Sequence, residues 1–432
     1  MTTHGDNLLA ALPLDWSFDR FKDVVLLRNE KTDERSAEED YLELEDLESG
    51  SGRILSRRNT LDVGSAVTHF KKGDVLFGKL RPYLEKYWEA EFDGKCTGEI
   101  LAFHPKRIAG RSLLYCLASR WFIERCNALA YGAKRPRVSW PTQLAHFNLP
   151  LPPLPEQHRI AAYLDASCAA IDAAVAAKRQ QLEILEVVRS SIVEGAVTRG
   201  LNRHAKHIRI DQDWLGTLPT HWSAMRIKRL VSRVDYGISV RTEPEGKYPV
   251  LKMGNIQGGE IVFSKIEFVD DVVDELILKK DDLLYNRTNS PDQVGKAAIF
   301  RGCKAEGVTF ASYLVRLRTN HRIAPDFLNY AVNCSGFLAF ARKLAIPSVQ
   351  QSNLNSTRYC RMLIPLPPLH EQRAICEYLG IKIGELTRVA NSIESQITTL
   401  TADRKSLIHE CVTGQRRISE ADLQKVKTHA GR

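Results

Sequence analysis

The sequence predicts an α/β (α+β) chain of two homologous globular domains separated by two long antiparallel helices. The helices pair as a coiled coil, and the halves are related by a pseudo-two-fold axis. An internal repeat is the first observation behind this. Leu149-Pro-Leu-Pro-Pro-Leu154, with Glu156-Gln157 and Tyr163-Leu164, returns as Ile364-Pro-Leu-Pro-Pro-Leu369, Glu371-Gln372 and Tyr378-Leu379. The offset of 215 residues holds without a gap to Val197-Thr198 and Val412-Thr413. Upstream, Leu12-Pro13 and Trp16 return as Leu218-Pro219 and Trp222, at an offset of 206. The second observation is a heptad after each proline-rich motif. Its a and d positions are Leu164, Cys168, Ile171, Val175, Lys178, Leu182, Leu185, Arg189, Ile192 and Ala196. The second copy has Leu379, Ile383, Leu386, Ala390, Ile393, Ile397, Leu400, Arg404, Leu407 and Cys411. All but Lys178, Arg189 and Arg404 are apolar or small, as a sustained seam requires. Connectivity sets direction: the first helix delivers the chain to the second domain, so the second must run back to pair with it.

The elements follow in order. The first domain is expected over 12–150. Within it, Tyr41-Leu-Glu-Leu-Glu45 alternates at period two, as a half-buried strand does. Glu48-Ser-Gly-Ser-Gly52 reads as a turn. Lys71 to Lys79 reads as turn then strand, and Lys279 to Arg287 is its counterpart. Arg107-Ile-Ala109 and Arg322-Ile-Ala324 each precede a helical stretch. The repeat offset grows between these landmarks, so the domains share a frame and differ in loops, where specificity usually lives. The first spacer helix is expected over 151–200, where Pro155 suits a first turn and Glu156 meets the positive end of the helix dipole. A linker follows over 201–217, then the second domain over 218–365, the second spacer helix over 366–414 and a tail over 415–432. Arg189 and Arg404 share one d position. Each is expected to reach the seam edge or a glutamate, or else to mark a docking surface for another subunit. Val187 and Val193 flank the seam and suggest covered surface.

Composition bounds the function. The 432 residues are 44% hydrophobic and 26% charged, ordinary for a soluble globular protein, with a net charge of +9 that favours a polyanionic partner. Nine cysteines, with no CxxC pair, argue against a disulfide scaffold or Cys-rich zinc site and for a reducing cytoplasm. His4, Asp6 and Asp15 interrupt the N-terminus, so no signal peptide is expected. Asp165 and Asp172 break the alanine-rich run at 161–177, so no membrane span is expected. The sequence holds no GxxxxGK[ST] loop, GxSxG elbow or HExxH pair. Both double prolines sit in Leu-Pro-Pro-Leu, not in the Asn/Asp-Pro-Pro-aromatic motif of a DNA aminomethyltransferase. His204 and His207 lie in a basic linker without metal-ligand spacing.

Pseudo-symmetric basic chains suit two-part DNA sites. Direct base readout needs Arg or Lys for guanine and Asn or Gln for adenine. In the first domain the candidates are Lys79, Arg81, Tyr83 and Lys86, with Lys134, Arg135 and Arg137. In the second they are Asn286, Arg287 and Asn289, with Gln350, Gln351 and Asn353. Gly and Pro place the first set on loops. That set is richer in cations and the second in amides, which suggests different base preferences.

These residues resemble the specificity subunit of type I restriction–modification systems. The repeated Pro-Leu-Pro-Pro-Leu-x-Glu-Gln before a long helix carries most of the likeness. Leu12-Pro…Trp16, Leu218-Pro…Trp222, Phe77-Gly-Lys-Leu-Arg-Pro-Tyr83 and Met253-Gly-Asn-Ile256 add to it. One departure is Tyr41-Leu-Glu-Leu-Glu-Asp46, more acidic than Val250-Leu-Lys-Met-Gly-Asn255. The resemblance implies two target-recognition domains, each reading half of a split, asymmetric double-stranded DNA site. It implies helices that act as spacer and as platform for two methyltransferase subunits, joined by motor-nuclease subunits. S-adenosylmethionine, ATP and magnesium are then expected on those partners, with no cofactor and no catalysis in this cytoplasmic chain. Two readers centred about one DNA turn apart leave an unread gap of roughly 6–8 bp. The alternative is a non-catalytic regulator or antirestriction decoy that binds DNA or methyltransferase subunits without supporting modification.

Overall fold

The computed structural model describes residues 12–430 apart from 34–35, 62, 64–65, 211–213, 304, 306 and 349–350. The chain forms two compact units, one of Met1–Arg179 with Glu394–Arg432 and one of Gln180–Ile393. Each unit therefore combines one globular domain with a portion of both long helices.

In the first unit, Val25–Leu27, Ile100–Pro105, Val75–Gly78 and Tyr87–Glu89 form an antiparallel sheet in that order. A second sheet orders Lys31–Thr32, Val67–Phe70, Gly94–Thr97 and Tyr41–Leu42, the last pair parallel. The central strand is buried on both faces. Val75 and Phe77 enter the core with Phe21, Phe103 and Phe122, whereas Leu76 enters a smaller core with Phe70 and Trp88. Helices Gly110–Ala118 and Arg120–Leu129 contribute Leu113, Leu117 and Phe122 to the main core, and the Ser119 side chain caps the second by accepting from the Phe122 amide.

The second unit repeats this frame. Val231–Tyr236, Leu314–Thr319, Leu283–Asn286 and Ala297–Ile299 run antiparallel, extended by Glu260–Ile261 and Ile256–Gln257. Leu283 and Tyr285 face one core and Leu284 the other. Tyr285 stacks on Tyr359 at 3.9 Å and 4°. Helices Pro325–Asn333 and Ser335–Leu344 match the pair in the first unit.

The repeated motifs close each unit. Ser17–Arg20 pairs antiparallel with Asn148–Leu151, and Ser223–Arg226 with Leu363–Leu366. Trp16 Nε1 donates to Glu156 at 3.1 Å and Trp222 Nε1 to Glu371 at 3.0 Å. Gln157 accepts from the Ala109 amide and Gln372 from the Ala324 amide, each at 2.8 Å. The Trp, the Glu-Gln pair and the Arg-Ile-Ala stretch are thus one device, built twice.

The long helices run Leu154–Arg199 and Leu369–Val412. In the first unit they pack antiparallel, Asp172 meeting Arg404 and Lys178 meeting Gln396, while Leu164 and Cys168 share a core with Ile408 and Cys411. In the second unit Ala196 and Val197 share a core with Ile375 and Leu379. Every predicted a and d position is buried or half-buried. Both helices end on a left-handed glycine, Gly200 (φ 72°) and Gly414 (φ 75°). A Cβ would lie 2.9 Å from the Trp222 ring at the first and 2.4 Å from Pro13 at the second, so neither position accepts a side chain.

Several expectations change. Tyr41–Leu42 is only a two-residue strand, because Asp46 caps a following 3-10 turn, accepting from the Glu43 amide (2.8 Å) and Arg58 Nε (3.0 Å). Asn255 caps the equivalent turn and donates to the Val262 and Ser264 carbonyls. The acidic departure is therefore a cap that recruits an arginine where its counterpart uses an amide. The linker holds a paired strand, His207–Arg209 against Thr217–Pro219. The tail holds a helix, Glu420–Ala430, and Ile418 and Leu423 are buried in the first unit's core. Arg404 meets Asp172 (3.1 Å) and the Gly50 carbonyl (3.0 Å), an internal clamp in place of a docking surface. Arg189 pairs with Glu186 at 3.5 Å. Val193 packs against the second unit's core, while Val187 is exposed. Helix Leu154–Arg199 includes a stretch long and apolar enough to cross a membrane. Asp165 and Asp172 within the same helix pair with Arg111 (2.6 Å) and Arg404.

Candidate nucleic-acid interface

In each unit the chain leaving the central strand meets a hairpin that follows the second short helix. In the first unit, Val75–Gly78 continues into 79–86, and the hairpin spans 131–137. Arg81 N donates to the Pro136 carbonyl at 2.7 Å, Val138 N to the Lys79 carbonyl at 3.0 Å, and Tyr131 pairs with Arg137. The two loop groups predicted from sequence are thus one surface. Arg81, Tyr83, Lys134 and Arg135 are exposed on it and Lys79 is half-buried. The side chains of Lys79, Lys134 and Arg135 make no hydrogen bond or ion pair with the described residues, which leaves three cations for a ligand. Arg81 Nη2 reaches the Lys134 carbonyl at 3.4 Å.

In the second unit, Thr288–Asn289, Gln351–Asn353 and Ile346–Ser348 form a three-stranded sheet. Here too both predicted groups converge. Gln351 is exposed and free of side-chain partners among the described residues. Arg287 lies 5.1 Å over the Tyr236 ring, and its Nη1 donates to the Ser312 carbonyl at 3.1 Å. Tyr236 and Tyr313 are exposed beside it.

Other predicted residues are used internally. Lys86 Nζ donates to the Leu47 carbonyl. Arg137 is paired with Glu99 at 2.8 Å. Asn289 accepts from the Ser290 amide at 2.8 Å, and Asn353 donates to Thr288 Oγ1 at 3.0 Å. Asn286 is corrected most sharply: it is 1% exposed, on the face of its strand opposite Tyr285, with both amide atoms unpartnered. It cannot present its amide to a surface ligand. Gln350 lies outside the described residues.

The basic loop at 53–58 is a counter-example to counting charge. Arg53 pairs with Asp172, Arg57 with Asp40 while covering the Phe92 ring, and Arg58 with Asp46. These charges are paired within the chain. Sequence reasoning missed Tyr236, which a strand two places away in the sheet brings beneath Arg287 and which no local motif marks. It also missed the backing of the first loop. There Glu85 pairs with Lys405 at 2.6 Å, and Tyr87 donates to the Gly50 carbonyl at 2.7 Å. Burial pushes the Tyr87 phenol up to about 12, so it remains a proton donor.

The comparisons with known proteins agree with this architecture. The family model described as the type I restriction modification DNA specificity domain matches residues 13–183 and again 236–399. The EcoKI type I restriction enzyme specificity subunit of Escherichia coli K12 is 23% identical over 291 residues, covering 66% of this chain and 60% of the relative. The StySPI specificity subunit of Salmonella potsdam is 24% identical over 327 residues, covering 74% and 67%. The chain spans 47% to 67% of the length of the first curated relatives it matches. A solved chain from work on complex assembly and conformational transition of the type I R-M system shares the fold. Its TM-score is 0.72 at 18% identity, over 94% of this chain and 99% of that one. With two matched copies covering most of its length, the chain belongs to the type I restriction–modification DNA specificity family.

Proposed function

We propose that this chain is the DNA sequence-recognition subunit of a type I restriction–modification complex. Each unit reads one half of a split, asymmetric double-stranded site. The observation that carries this reading is the convergence, in both units, of two sequence-distant loop groups onto one surface beyond the central strand. The first surface is cationic, through Lys79, Arg81, Lys134 and Arg135, with Tyr83 beside them. The second offers Gln351, Arg287 and hydroxyl groups. Cations hold phosphates or guanine, and amides suit adenine, so the two half-sites differ.

The chain itself performs no catalysis in this reading. Two methyltransferase subunits dock on the long helices, where Ile184, Val187, Tyr378, Ile381 and Val389 are exposed apolar residues that favour a protein partner. Those subunits bind S-adenosylmethionine, and motor-nuclease subunits bring ATP and magnesium. The assembly works in the cytoplasm, without a membrane. Mapping adenine methylation in a genome carrying the complete system tests this. A two-part motif with a fixed unread gap is expected, and a contiguous motif would refute the split-site reading.

A further inference from the structure

The loop that carries Arg81 is held in an unusual way. Arg81 and Glu85 both have φ near 52°, the left-handed region that side chains other than glycine rarely occupy. Something must hold the turn between them at both ends. At the front, Arg81 N is bound by the Pro136 carbonyl at 2.7 Å. At the back, the Glu85 carbonyl accepts from Gly50 N at 2.9 Å, and the Glu85 carboxylate pairs with Lys405 of the second long helix at 2.6 Å. Arg404, one residue earlier, donates to the Gly50 carbonyl at 3.0 Å. The helix therefore grips the turn directly through Lys405 and indirectly through Arg404 and Gly50.

Among the described residues, the second unit shows no counterpart of this device. Its chain leaves Asn286 and passes straight into the strand Thr288–Asn289. At the repeat offset of 215, Ser190 stands where Lys405 does, and Arg189 pairs with Glu186.

We propose that Glu85 and Lys405 are positioning residues for the first half-site: their ion pair sets the Arg81–Glu85 turn, so a residue of the spacer helix governs base preference in one domain. This rests on the reading that the turn contacts DNA. Lys405 is 47% and Glu85 21% exposed, so the pair adds little to stability and its effect falls on loop geometry.

The test uses the full chain purified with its methyltransferase subunits and a pool of duplexes of randomised sequence. Wild type is expected to enrich a two-part motif. Lys405→Glu, and the milder Lys405→Met, should lower discrimination in one half by about two- to five-fold, within the worth of an exposed ion pair, with the melting temperature unchanged. The double exchange Glu85→Lys with Lys405→Glu should restore it. If Arg81→Ala relaxes one half while both Lys405 variants leave it intact, the positioning role is overturned and the DNA reading stands. Relaxation that the double exchange does not restore also overturns the pair. A wild type that enriches no motif overturns the DNA reading and the proposal with it.

Discussion

Trp16 donates its indole N–H to Glu156, 140 residues away in sequence, at 3.1 Å. Glu156 is only 4% exposed and also takes both Nε and Nη2 of Arg417, so an N-terminal tryptophan and a C-terminal arginine share one buried carboxylate. Removing that carboxylate leaves the Trp16 donor without an acceptor, while Arg417, 47% exposed, keeps its pair with Asp15. Glu156→Ala should cost about 2–3 kcal/mol, as expected for leaving a buried donor unpaired and losing a charged hydrogen bond. In the second unit Glu371 is 29% exposed and partnered by Trp222 and His221, so Glu371→Ala should cost less, about 1–2 kcal/mol. Urea unfolding of the two variants checks the order, and equal losses would contradict it.

Asn286 offers a sharper choice. A buried amide with neither atom bonded gains nothing from its polarity. Asn286→Leu should therefore leave stability unchanged or raise it by up to about 1 kcal/mol. It should also leave the second half-site intact. A loss of specificity there, with the fold retained, would restore Asn286 as a reader.

The exposed cations should divide by role. Lys134→Ala and Arg135→Ala should weaken binding to all sequences alike and reduce the salt slope by about 1 each, as phosphate contacts do. Arg81→Ala should cost about 1–3 kcal/mol in one half-site only, if its guanidinium meets a base. Equilibrium binding at several salt concentrations separates these outcomes.

His409 links pH to the first unit. Burial holds its imidazole below the ordinary 6.5, and the Arg120 guanidinium adds to this against the opposing Glu124 and Glu410. The folded state keeps His409 neutral where the unfolded chain takes up a proton. Its contribution is therefore whole above about pH 6.5 and is lost as pH falls through the lowered folded value. Thermal melts between pH 7 and 5 should show a shallower decline for His409→Gln than for wild type. Parallel curves would contradict the assignment.

Much of the frame could be read from residue order. The repeat survives because Trp, Glu and Gln make specific hydrogen bonds that other residues cannot supply, and the helices because packing demands an apolar residue at each seam position. Tyr41 to Glu45 misled because period-two alternation does not register a cap three residues on. The site was legible as loops but not as side chains. Spacing placed Asn286 beside Arg287, yet only the sheet determines that one is buried and the other lies over Tyr236. Lys405 and Glu85 are 320 residues apart, and no local pattern joins them.

The central claim is that two independent readers sit on one chain. Exchanging residues 12–148 for those of another family member, then mapping adenine methylation, tests it most directly. The account predicts that one half of the motif changes while the other half and the unread gap persist. A motif altered in both halves, or a single contiguous one, would contradict it.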